Sequence, residues 1–223
     1  MVNESDERPP AAGTGKARRA LQRLRPKGKS MSKSIEFFFD VGSPAAYLAQ
    51  MQMPHIMSET HAVILYRPML LGGVFKATGN ASPPGVKGRY IRHDLERCAR
   101  ALEIPLNFNP FFPINTLQMM RVVTAAQDED LLPSCLGAIY RGMWVDRLNM
   151  GERDVLLGAL KAGGLNGPHL LARAEEPAIK ERLKQTTEEA VARGVFGAPT
   201  FFVGDDMFWG QDRIEQVIAA AKA

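Results

Sequence analysis

Chemistry is most readily placed at Ser43, within the run Ile35-Glu36-Phe37-Phe38-Phe39-Asp40-Val41-Gly42-Ser43-Pro44-Ala45-Ala46-Tyr47. The first half is apolar and aromatic, as a buried strand requires. Gly42 breaks it. Pro44 suits the first position of a new helix, where its missing N–H has no intrahelical partner to lose. Ser43 therefore sits at the strand-to-helix turn, at or beside the N-cap. Free backbone N–H groups and the positive end of the helix dipole converge there, a setting for an anion or a thiolate. A serine in that place is also an ordinary helix cap, and the residues alone leave both readings open.

Gly197-Ala198-Pro199-Thr200-Phe201-Phe202-Val203 is the second informative stretch. A proline directly before an apolar strand is a candidate cis peptide, although a trans proline at a strand start is the commoner arrangement. Other chemistry-bearing residues are dispersed. His55, His61, His93 and His169 lack metal-ligand spacing, so no metal is expected. Cys98 and Cys135 fit no metal or redox motif and read as small buried hydrophobes. A disulfide framework is not expected, and a reducing compartment, the cytoplasm, fits. Met51, Met53, Met57, Met119 and Met120 read as core filler. Phe108, Phe111, Phe112 and Trp144 could line a pocket for an aromatic substrate, but core packing is the commoner role.

The formal charge of +4 over 223 residues is unevenly spread. Residues 1–31 hold eight Lys/Arg against three acidic residues; subtracting that +5 from +4 leaves −1 for the remainder. This stretch is rich in Pro, Gly, Ala and Arg and poor in large apolar residues, so it reads as a disordered basic tail. It has no apolar core of the kind a secretory signal needs, and it raises the question whether Met31 is the functional start. Without aromatic residues to stack on bases, the tail does not point to nucleic acid. No apolar run spans a bilayer, and no membrane association is expected.

The body from Ser32 positions the chemistry. A strand over about Ile35–Asp40, a helix over about Pro44–Met57 and a strand within 61–67 make a β-α-β unit. Gly72-Gly73 and residues 79–85 read as loop. Helices follow from about Gly88, where Ile91, Leu95, Cys98 and Leu102 share a face, and then at about 116–127, 133–147, 154–161, 168–174 and 178–193. Gly194 suits the C′ position of the last of these. Strands at 200–203 and 207–209 form a hairpin, and Gln211-Asp212 opens a final helix with capping-box spacing from Asp212 to Glu215. The order predicts an α/β fold, a thioredoxin-like four-stranded sheet with an all-helical domain inserted between its βαβ and ββα halves. Residues 32–67 and 195–223 would form the sheet domain, and 68–194 the helical insertion. In the thioredoxin plan a cis-proline loop faces the start of the first helix, which strengthens the cis expectation for Pro199.

Three segments carry a further resemblance: Phe39-Asp40-Val41-Gly42-Ser43-Pro44, Gly194-Val195-Phe196-Gly197-Ala198-Pro199-Thr200 and Phe208-Trp209-Gly210-Gln211-Asp212-Arg213. Together and in this order they resemble the 2-hydroxychromene-2-carboxylate isomerases. Those proteins are DsbA-type thioredoxin-like proteins related to the kappa-class glutathione transferases. The similarity covers about Ser32 to Ala223.

The resemblance implies glutathione as cofactor. It implies that Ser43, catalytic, hydrogen-bonds the glutathione sulfur, and that Ala198, before Pro199, pairs its backbone with the cysteinyl part. Gln211 and Asp212 would hold the γ-glutamyl end, and Asn80 and Lys87 the glycyl end. The loop between Asn80 and Lys87 is shorter than in the kappa class, and Ala45 stands where the family commonly has Tyr. The implied reaction interconverts 2-hydroxychromene-2-carboxylate and trans-o-hydroxybenzylidenepyruvate in aromatic-hydrocarbon degradation, by reversible addition of the thiolate to a small aromatic substrate in a homodimeric enzyme. A conjugating kappa-like transferase and a non-catalytic thioredoxin-like peptide-binding module are the alternatives. Disulfide exchange needs cysteines at the helix start, where this chain has Ser43-Pro44-Ala45-Ala46.

Overall fold

The computed structural model describes residues 34–223; the expected basic tail and the question of Met31 lie outside the described residues. Alternation along β1 (Ser34–Phe39) sets the layers. Ile35, Phe37 and Phe39 enter the larger core and Phe38 a smaller one on the other face, as a strand buried on both sides requires. Parallel to β1 runs β2 (Val63–Pro68), with Ile35 opposite Ile64. On its other side β3 (Thr200–Val203) is antiparallel, with Phe37 opposite Phe201. The hairpin turns at Gly204, φ +62°, into β4 (Asp206–Trp209). The resulting four-stranded order is β2-β1-β3-β4, the expected thioredoxin-like α/β sheet.

Both faces are covered. α1 (Pro44–Met51), α2 (Met53–Thr60) and the last helix, α10 (Ile214–Lys222), pack into the larger core. Between β2 and β3 come α3 (Leu71–Thr78), α4 (Gly85–Ala101), α5 (Leu117–Ala126), α6 (Leu132–Trp144), α7 (Arg153–Ala162), α8 (Gly167–Arg173) and α9 (Pro177–Ala192). α5 to α8 share the larger core with β1. α9 places Ala190 in the smaller core with Phe38, Val74 and Phe202, and Arg193 caps that face with its guanidinium 3.7 Å from the Phe202 centroid. No helix among the described residues is long and apolar enough to cross a membrane.

Four local expectations are corrected. The single helix over 44–57 is two, because Pro54 lacks an N–H and its ring excludes the carbonyl one turn earlier. Met51 before that break and Met57 after it are about half exposed rather than core filler, while Met53, Met119 and Met120 are buried. The glycine pair at 72–73 lies inside α3. Glycine costs about 1 kcal/mol in a helix, but the first turn has tertiary partners: the Leu70 N–H donates to Thr187 Oγ1 at 2.9 Å and the Leu71 N–H to Asp40 Oδ2 at 2.8 Å. α10 begins at Ile214, and its cap residue, Arg213, makes no side-chain cap bond. Asp212 pairs with Arg213 at 2.8 Å and Glu215 with His55 at 3.0 Å, so the expected capping box is not formed.

The turn that carries Ser43 is fixed from beneath. Asp40 is 1% exposed. Its carboxylate accepts from the Gly42 N–H at 2.8 Å, the Leu71 N–H at 2.8 Å and the Thr116 hydroxyl at 3.0 Å. One side chain thus joins the end of β1, the start of α3 and the entry to α5. The buried Trp144 Nε1 donates to the Val41 carbonyl at 2.9 Å. Gly42 is required for closeness: a Cβ there would stand 2.7 Å from Thr116 Cγ2.

Burial raises the Asp40 pKa above its ordinary 3.8, and the three hydrogen bonds restrain the rise. Its stability contribution is therefore full below the unfolded value and is lost as pH rises through the folded one. An asparagine here would set an N–H2 against a donor. Asp40→Asn is expected to cost about 1–3 kcal/mol at acid pH. Because asparagine does not titrate, the gap between parent and variant should narrow in melts from about pH 4 toward about pH 8. A gap that widens with pH would show that the hydrogen bonds to the carboxylate outweigh its burial.

Candidate functional site

Ser43 is the N-cap of α1, with φ −93° and ψ 117°. Its Oγ accepts from the Ala46 N–H at 3.1 Å, the cap that the sequence predicts. The same hydroxyl donates its one proton to the Ala198 carbonyl at 2.8 Å. The Ala198–Pro199 peptide is cis, as the thioredoxin plan predicts. Gly197 is buried against Trp209: a Cβ would lie 2.6 Å from the indole Nε1, so only glycine lets that ring cover the loop. Neither partner of the Ser43 hydroxyl is a base. The residue is therefore equipped to donate a hydrogen bond at a helix start and is not activated as a nucleophile.

A cavity of about 990 Å³ opens over this junction and is lined by Ser43, Asn80, Lys87, Ala198, Pro199, Gln211 and Asp212, all the residues that the sequence singles out. Its size is at the upper end for small-molecule sites. The Asn80 amide donates to the Phe196 carbonyl at 2.8 Å, tying its loop to the segment that leads into Pro199. Lys87 is exposed, and no residue among those described pairs with it. The Gln211 carbonyl accepts from Gln52 Nε2 at 3.3 Å, which docks the start of the last segment on the end of α1. Asp212 is exposed, and among the described residues its side chain pairs only with its neighbour Arg213. A cation and an anion thus stand on a polar rim with the Ser43 turn among the lining.

Elsewhere the cavity wall is apolar. Ala45, Ile91, Leu95, Phe108 and Phe112 contribute to it, with Arg92 among them. Phe108 and Phe112 thus serve the pocket, whereas Trp144 is wholly buried and Phe111 is 52% exposed. Arg92, Asp40 and Thr116 were not foreseen as parts of the site. A carboxylate that closes a buried aromatic strand is itself an anomaly and a signal for Asp40; Arg92 and Thr116 have no local signal. Of the cysteines, Cys135 is buried, which pushes its thiol up to about 12 and leaves it inert. Cys98 is half-buried, with Gln211 Nε2 at 4.0 Å.

Known proteins share this architecture. Residues 34–221 match the DSBA-like thioredoxin domain family. The chain is 33% identical over 189 residues to 2-hydroxychromene-2-carboxylate isomerase of Sphingobium xenophagum, covering 83% of this chain and 96% of that one. It is 29% identical over 202 residues to glutathione S-transferase kappa 1 of Homo sapiens, covering 83% and 89% respectively. A solved structure of 2-hydroxychromene-2-carboxylate isomerase superposes with a TM-score of 0.74 at 27% identity, over 84% of this chain and 93% of that one. Fold, matched length and relatives agree, and the chain belongs to the DSBA-like thioredoxin family, in the group that holds the 2-hydroxychromene-2-carboxylate isomerases and their kappa glutathione transferase relatives.

Proposed function

We propose that this protein is a glutathione-dependent isomerase that interconverts 2-hydroxychromene-2-carboxylate and trans-o-hydroxybenzylidenepyruvate. The observation that carries the reading is the 2.8 Å bond from Ser43 Oγ to the Ala198 carbonyl at a helix start, in a cavity whose polar rim holds Lys87 and Asp212. Glutathione presents two carboxylates, one ammonium, amides and a thiol. The donor set fits each of them. Lys87 and Asn80 suit the glycyl carboxylate, Asp212 and Gln211 the γ-glutamyl end, and the Ala198 backbone the cysteinyl amide. Asp212 makes no capping bond, and its exposed pair with Arg213 engages only Oδ2, which leaves Oδ1 for that task.

Bound there, glutathione would supply a thiolate that adds reversibly to a conjugated acceptor, so that the double bond can rotate with no net redox change. The chain's own part is to favour the anion. Free thiols titrate near about 8.5, and the Ser43 hydroxyl and the α1 dipole both lower that value. For Ser43 to donate to sulfur, its proton must leave the Ala198 carbonyl. That carbonyl then becomes free to accept an amide N–H from the ligand, so the two contacts form together. A homodimer working in a reducing compartment on an aromatic-degradation intermediate belongs to the same reading. Conjugation of an electrophile, the kappa-transferase activity, is the second reading, since human kappa 1 is among the relatives.

Glutathione titration by calorimetry, followed by a substrate screen of the bound form, tests the proposal. The parent is expected to bind glutathione. Asp212→Asn should lose roughly five- to hundred-fold in affinity, as for one charged hydrogen bond. Its melting temperature should barely change, because the Asp212–Arg213 pair is exposed. A parent that takes up no glutathione would contradict the proposal and favour the peptide-binding alternative.

A further inference from the structure

One cation stands on the apolar wall of the cavity. Arg92, on α4, lines it beside Phe108 and Phe112. Its guanidinium lies over the Phe108 ring, 4.6 Å from the centroid. Phe108 and Phe112 are in turn braced on the buried Trp144, with ring centroids at 6.0 and 5.8 Å. The arginine is therefore set on a supported aromatic platform. Among the described residues its only polar partner is Glu96, which meets Nε at 3.2 Å and leaves both terminal amino groups free.

The surroundings favour an anion. Arg92 also lines a second cavity of about 410 Å³, together with Arg100, Arg147 and Glu96. Three arginines against one glutamate leave this end positive. Asp94 also lines the main cavity, but Arg97 lies 3.7 Å from it. A guanidinium set over a ring, with its two outer N–H2 groups unused, presents the fork that a carboxylate fits. An i,i+4 pair with Glu96 accounts for Nε alone and requires neither the aromatic platform nor the cavity.

We propose that Arg92 anchors the carboxylate of a planar aromatic acid whose ring lies on Phe108 and Phe112, and so selects acids over neutral acceptors at this site. The inference rests on the glutathione reading for its chemistry, since the reacting carbon must face the thiol beside Ser43. Close to Ser43 in the chain, Ala45 adds only a methyl to the cavity lining.

The test compares 2-naphthoate with its uncharged isostere 2-naphthamide, by calorimetry at low ionic strength, on the parent, Arg92→Gln and Arg92→Lys. The parent should prefer the acid about tenfold or more. Arg92→Gln should abolish the preference and leave naphthamide affinity unchanged. Arg92→Lys should restore only part of it, because an ammonium lacks the bidentate fork. A parent that binds acid and amide alike, or binds neither, overturns the proposal, as does an Arg92→Gln variant that keeps the preference. Glutathione is titrated into the same proteins and should bind the parent and Arg92→Gln equally. A parent that holds naphthoate through Arg92 but takes no glutathione would overturn the cofactor reading and leave the anchor standing.

Discussion

A single hydroxyl proton joins two stretches of chain 155 residues apart. Ser43 accepts from the first turn of α1 and donates to the Ala198 carbonyl at 2.8 Å. The cap of the first helix and the turn before β3 are thereby one feature. The residue that caps α1 is also the residue that faces the cis peptide. The bond has a consequence for binding. Whatever takes the hydroxyl proton also releases a backbone acceptor, so a ligand that brings both an anion and an N–H donor is matched to the site in a way that an anion alone is not.

Such a bond is useful only if both sides are stiff. On the Ser43 side the stiffness comes from buried polar contacts: Asp40 with its three donors, and Trp144 on the Val41 carbonyl. A buried carboxylate is costly unless hydrogen-bonded, and Asp40 meets that condition by drawing β1, α3 and the entry to α5 together. On the Ala198 side Trp209 lies against Gly197 and packs tilted against Phe196, ring centroids 4.9 Å apart. The sheet beneath supplies the common frame, with Phe37 stacked on Phe201 at 5.0 Å across β1 and β3. Each fully buried phenylalanine contributes roughly 1.5–3 kcal/mol relative to exposure.

The parts legible in the sequence are those with local signals. The strand-Gly-Ser-Pro turn, the proline before β3 and the helical periods all place their elements within a few residues. The parts that were not legible depend on contacts distant in the chain. α3 forms despite Gly72 and Gly73 because Asp40 and Thr187 hold its first turn. Asp212 has the spacing of a capping box, yet α10 begins one residue later, with Arg213 in the cap position, and the two carboxylates pair with Arg213 and with the distant His55. The polar rim could be named residue by residue through the family resemblance. Of the aromatic wall, Phe108 and Phe112 could be named only as candidates beside Phe111 and Trp144, and Arg92 not at all, because their sorting depends on packing: both rings brace on Trp144, and Arg92 reaches Phe108 from another segment, the helix α4.

The central claim is that Ser43 acts by stabilising a thiolate that it does not itself supply. The direct measurement is the ultraviolet absorbance of the glutathione thiolate against pH, with protein in excess, for the parent and Ser43→Ala. Isomerisation rates are followed in parallel. In the parent the bound thiol should titrate below its free value of about 8.5. In Ser43→Ala glutathione should still bind, through the Ala198 backbone and Asp212, but the thiol should titrate at higher pH. Turnover should fall at neutral pH and recover in part as the thiolate forms unaided. An unchanged titration in Ser43→Ala, with activity intact, would contradict the account and leave Ser43 a helix cap and nothing more.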